Sequence, residues 1–121
     1  MEFFAFVDRD WDEAQLRSIL TMERLDQYCD SLEKVLETGE DWGRYFTVWG
    51  EFTILRIEIW GGYRFVLPKC ANGLTWSITV GLPPNPDRIT IHTTINRTEQ
   101  DPDFVETLVD FTQEWKNSLE P

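Results

Sequence analysis

The chain has 121 residues, 41% of them hydrophobic and 14% aromatic, with 22 acids against 11 bases and a net charge of −11. That length fits one domain spanning residues 1–121, and the wealth of aromatic and β-branched residues excludes a disordered chain. No apolar run approaches the roughly 18–20 residues of a membrane helix, and so acidic a total opposes direct binding to nucleic acid or an anionic membrane.

The charge falls into three blocks. Residues 1–43 hold twelve acids and four bases, residues 44–97 three acids and six bases, and residues 98–121 seven acids and one base. Each block has its own periodicity. The opening run Met1-Glu2-Phe3-Phe4-Ala5-Phe6-Val7-Asp8 is apolar but short, and carries Glu2 where a secretory signal carries a basic flank. It reads as a strand.

Residues 10–38 carry helical periodicity in two opposed stripes. Leu16, Ile19 and Leu20 fall on one side, and Met22, Leu25, Cys29, Leu32 and Leu36 on nearly the opposite side. One straight helix cannot present both stripes to a single core, so a break is expected near Ser18–Thr21. Asp10 with Glu13 resembles a capping box for the first helix. Thr21 suits the N-cap of the second and Gly39 its C-terminal stop.

Residues 44–96 read as a β meander, with strands near 44–49, 52–60, 63–68, 74–82 and 88–96 separated by glycine- and proline-rich turns. Gly50 fits either a turn or a bulge. Alternation puts Leu55, Ile57 and Ile59, Trp76, Ile78 and Val80, and Ile89, Ile91 and Ile95 on one buried face. Keeping Ile59 beside Phe65 requires an odd-length loop at Gly61-Gly62. The last block is a helix: Asp101 caps it, Pro102 takes its first position, and Phe104, Leu108, Phe111, Trp115 and Leu119 form its apolar stripe. The expected fold is α+β, an antiparallel meander of four to six strands with N-terminal helices and a C-terminal helix on one face.

Two features carry functional expectations. On the second helix, Glu23, Asp26, Asp30, Glu33 and Glu37 are spaced 3-4-3-4 and would form one acidic ridge. Like charges at this spacing cost a helix about 0.2–0.5 kcal/mol per pair. Such a row is either a solvated face or a docking surface for a basic protein partner. The sheet face opposite the helices would display Arg56, Glu58, Arg64 and His92 among threonines and Ser77. That is an ordinary wet face, or a ligand platform on which the arginines hold an anion.

Enzyme signatures are absent: there is one histidine, no Walker or dinucleotide motif, and no His-Glu-x-x-His. The cysteines, Cys29 and Cys70, have no metal-site spacing and make no disulfide framework. Cys29 is expected to be buried and inert. Cys70 lies in a loop, reactive or merely exposed. A reducing, cytoplasmic location follows as the default. The expectation is a nonenzymatic interaction protein with no cofactor and no metal, docking a basic partner through the ridge. The alternative is a small-molecule binder or minor enzyme using a pocket between helices and sheet. A homodimer through a sheet edge, or through an aromatic rim of Trp42, Trp49 and Trp60, is compatible with the pattern.

Overall fold

The computed structural model describes residues 1–121. Its strands are β1 (Glu2–Val7), β2 (Leu32–Thr38), β3 (Trp42–Thr47), β4 (Gly50–Ile59), β5 (Gly62–Val66), β6 (Thr75–Val80) and β7 (Ile89–Thr94). They form one seven-stranded antiparallel sheet in the order β1-β7-β6-β5-β4-β3-β2. Helix α1 (Glu13–Ile19) follows β1, a single 3-10 turn (Leu25–Gln27) follows α1, and helix α2 (Pro102–Leu119) ends the chain. Both helices pack on the same face of the sheet, α1 on β5 and β6, α2 on β1 and β7.

The α+β class, the antiparallel sheet and the C-terminal helix are as the sequence implies. Asp101 caps α2 by accepting from the Asp103 backbone N–H at 2.8 Å, with Pro102 at the start of the helix. Leu108, Phe111, Trp115 and Leu119 are buried against the sheet. There they meet Trp76, whose ring lies 4.9 Å from that of Phe111 and 5.2 Å from that of Phe65. This aromatic cluster fills the space beneath the middle of α2. No helix is long and apolar enough to cross a membrane.

The N-terminal third needs correcting. The break does fall where the opposed stripes require it: α1 ends at Ile19, and Leu16 and Leu25 are both fully buried. The capping box sits two residues later than expected. Asp12 accepts from the Gln15 N–H at 2.8 Å, and the Gln15 side chain accepts from the Asp12 N–H at 2.9 Å. The second helix does not form. After the 3-10 turn the chain enters β2, the seventh strand, at the sheet edge.

A bulge explains the misreading. Leu32 pairs with Thr47 and Val35 with Tyr45, so two residues three apart face partners two apart, and the register shifts between Leu32 and Lys34. A strand that absorbs an extra residue this way spaces its core side chains as a helix turn does. A second shift lies between Val35 and Glu37. Bulges and charged residues on a terminal strand also discourage pairing with another chain.

The face of β4 is reversed relative to expectation. The β4–β5 turn has two central residues, Trp60 and Gly61, so Ile59 pairs with Gly62 and Ile57 with Arg64. The odd-length loop is therefore excluded. Ile54 enters the core, while Leu55 and Ile57 stand half-exposed on the face away from the helices. Gly62 is required here, because a Cβ would lie 2.1 Å from the Ile78 carbonyl oxygen on β6. Gly50 belongs to a turn: it pairs with Thr47 across Val48 and Trp49, at φ 115°.

Candidate functional site

The five acids expected on one ridge are not on one helix. Asp26 lies in the 3-10 turn, Glu23 and Asp30 flank it, and Glu33 and Glu37 lie on β2. Glu37 is paired with Arg44 at 3.3 Å. The regular 3-4-3-4 row that motivated docking of a basic partner is thus absent, although all of these residues except the half-buried Asp26 are exposed.

The expected sheet platform divides in two. Arg64 and His92 do share the open face, and lie in one row of paired residues running Ile57, Arg64, Ser77, His92, Phe4 across five strands. Arg56 and Glu58 point to the helix side instead, because the two-residue turn sets β4 over. Arg56 is used structurally. Its guanidinium donates to the Leu20 carbonyl at the end of α1 (2.9 Å), to the Glu40 carbonyl (3.0 Å) and to Asp41 (2.9 Å), and lies 4.3 Å from the Tyr63 ring centre. Glu58 pairs with Arg17 of α1 at 2.6 Å. Glu58 therefore does not share a face with Ser77 and His92. The carboxylate that reaches His92 is Glu2, at 2.9 Å.

On the helix side a different site emerges, at the end of the sheet where the first turn of α2 begins. Trp49 from the β3–β4 turn, Phe52 of β4, Leu67 and Leu74 from the β5–β6 connection and Phe104 of α2 line a cleft of about 340 Å³. Cys70, Ala71 and Asn72 complete it, so Asn72 is its single polar side chain. Leu67 and Leu74 form a buried base, while Trp49, Phe52, Cys70 and Phe104 are only half-buried.

Several polar atoms around the cleft are already paired. The Trp49 indole N–H donates to the Thr107 hydroxyl at 2.9 Å, tying the β3–β4 turn to α2. The Trp49 ring meets Phe111 edge-on at 5.4 Å and Phe104 at 6.5 Å. The Asn72 side-chain oxygen accepts from Gln100 at 2.8 Å, and the Asn72 carbonyl accepts from the Asn96 N–H at 2.7 Å. What remains toward the cleft is apolar surface with one thiol. The other thiol, Cys29, is fully buried, and burial together with the neighbouring Glu114 carboxylate pushes it well above the usual thiol range. It is inert, as expected from sequence.

The cleft residues come from three separate segments, and only Phe104, as a stripe member, Trp49, as a rim aromatic, and Cys70, as a loop thiol, stand out singly in the sequence. No group of histidine, cysteine and carboxylate side chains has the geometry of a metal site.

No family model matches the chain, and no curated protein does. Two solved structures are similar in fold over nearly the whole length. A START superfamily protein from Mycobacterium smegmatis superposes with a TM-score of 0.61 at 13% identity, covering 97% of this chain and 94% of that one. An uncharacterised protein from Bacillus thuringiensis gives 0.60 at 9% identity, covering 97% of both. At such identities the likeness is one of fold.

Proposed function

We propose that this is a nonenzymatic binding protein for a small, mainly apolar molecule held in the cleft beside the first turn of α2. The observation that carries the reading is the lining: seven hydrophobic residues and one asparagine around about 340 Å³. Ligand sites are typically concave and mostly apolar, with few polar groups, and begin near 300 Å³. A dry cavity of about 150 Å³ already accommodates benzene, so this one has room for a two-ring aromatic or a medium aliphatic chain. Binding would remove Trp49, Phe52 and Phe104 from water. The Trp49 indole N–H and the Asn72 side-chain oxygen keep their partners when the cleft is filled. The fold shared with a START superfamily protein is compatible with a site between helix and sheet, but at 13% identity it names no ligand.

Cys70 provides a native reporter. With Cys29 fully buried, the folded protein presents one accessible thiol at the cleft wall. The rate of Cys70 labelling by a maleimide should fall saturably as 1-octanol is added, and should not change with ethylene glycol at the same concentration. An unchanged rate in saturating 1-octanol would remove this reading.

A further inference from the structure

The open face of the sheet carries a second site, built quite differently from the apolar cleft. Two concavities of about 380 and 460 Å³ lie side by side there and share Ser77 and His92. They make one trough, and its two halves differ in chemistry. In one half the rings of Phe4 and His92 stack 4.3 Å apart and 3° from parallel, with Phe6 continuing the stack 6.3 Å beyond Phe4. Leu82, Pro83 and Pro84 wall this half, and Thr79 beneath them is buried although it belongs to the open face. In the other half Arg64 lies among the hydroxyls of Thr75, Ser77 and Thr94.

The charge pattern is what selects a ligand. Acids outnumber bases two to one in this chain, and Arg17, Arg44, Arg56 and Arg88 all hold carboxylates. Arg9, Arg24, Arg64 and Arg97 hold none, and of these four only Arg64 lines the trough, where it is exposed and no acidic residue lines either half. Glu2 of β1, which pairs with Thr94, is engaged with His92 at 2.9 Å. An arginine kept free of carboxylates in so acidic a protein is a vacant half of a charge-assisted pair, suited to a planar anion. Phe4 and Arg64 stand three strand spacings apart, about 14 Å. An extended arginine side chain and a two-ring acid together match that distance.

We propose that the trough binds a small aromatic carboxylate. Its rings lie against the stacked Phe4–His92 pair and the Pro83-Pro84 wall, its carboxylate pairs with Arg64, and the Ser77 hydroxyl donates to a remaining oxygen lone pair. The rings gain from offset stacking, and the carboxylate supplies the selectivity.

The experiment is a titration followed by backbone amide NMR, using 2-naphthoate and its neutral counterpart 2-naphthamide on the native protein, Arg64→Gln and Phe4→Ala. Native protein should prefer the acid by about tenfold, as loss of a bidentate charged pair implies. The shifted amides should include Phe4, Ser77 and His92, while those of residues 67–74 stay still. Arg64→Gln, an exposed position whose thermal midpoint should not move, should erase the preference. Phe4→Ala should weaken both compounds alike. Equal affinity for acid and amide, a preference that survives in Arg64→Gln, no effect of Phe4→Ala, or shifts confined to residues 67–74 would each overturn the proposal. The last of these would still leave the apolar cleft as a ligand site.

Discussion

Replacing Arg56 with methionine keeps most of the aliphatic stem and removes a guanidinium that joins three segments of the chain. The cost can be built from its contacts. Leu20 is the C-cap of α1 and is fully buried; taking the Arg56 donor from its carbonyl leaves a polar group unpaired, at about 1–3 kcal/mol. Asp41 is 61% exposed, so its pair with Arg56 contributes at most about 1 kcal/mol after solvent screening. The Glu40 carbonyl lies on an exposed residue where water can replace the donor. The stacking over Tyr63 adds about 0.5–1 kcal/mol. Arg56→Met should therefore destabilise by about 1.5–5 kcal/mol, lowering the midpoint of thermal unfolding by roughly 6–20 °C at about 4 °C per kcal/mol for a chain of this size. Arg64→Met is the control. Arg64 is exposed and unpaired, so its substitution should stay within about 0.5 kcal/mol. Circular dichroism melts of both variants separate the two arginines. Equal midpoints would refute the assignment of Arg56 to the helix side and return it to the open face.

Other outcomes can be checked with similar means. Burial pushes the Tyr45 phenol up, and burial with Glu114 pushes the Cys29 thiol up. In both cases the unfolded chain ionises first, so stability is full below the ordinary pKa and falls as pH rises. Melts at pH 8, 9.5 and 11 should show a decline that begins near pH 9. Tyr45→Phe should make it shallower, and at neutral pH should cost about 1–3 kcal/mol, because the phenol donates to the Met22 carbonyl and accepts from the Leu25 N–H. A pH profile identical to that of native protein would contradict this. Gly62→Ala should cost about 3 kcal/mol or more, because the new Cβ meets the Ile78 backbone oxygen. Gly50→Ala meets nothing within 4 Å and should cost only about 1–2 kcal/mol for its positive φ; denaturant midpoints that rank the two the other way would be wrong for this fold.

The strands β3 and β5 to β7 and the helix α2 were legible because local turn chemistry and alternation agree there. Ser77, His92, Thr75 and Thr94 share a face in the structure as parity requires. The failures have local causes. On β2 a bulge lets Leu32 and Val35 imitate helix spacing, and residues that favour helices are drawn into a strand by pairing with β3. On β4 two apolar alternations compete, Phe52 with Ile54 and Leu55 with Ile57 and Ile59. The longer set is the one left half-exposed, and Arg56 and Glu58 were misplaced with it. The cleft was illegible for another reason. Its residues lie at 49–52, 67–74 and 104, and no local pattern announces that three distant segments meet.

Filling the cleft beside α2 tests whether it holds an apolar ligand. Ala71 lies exposed at its edge, in a loop, with no backbone constraint against a large side chain. Calorimetric titration of 1-octanol at two temperatures should give saturable binding with a negative heat-capacity change in the native protein, and none in Ala71→Trp, whose thermal midpoint should be unchanged. No saturable heat in the native protein, or the same heat in the filled variant, would contradict the account.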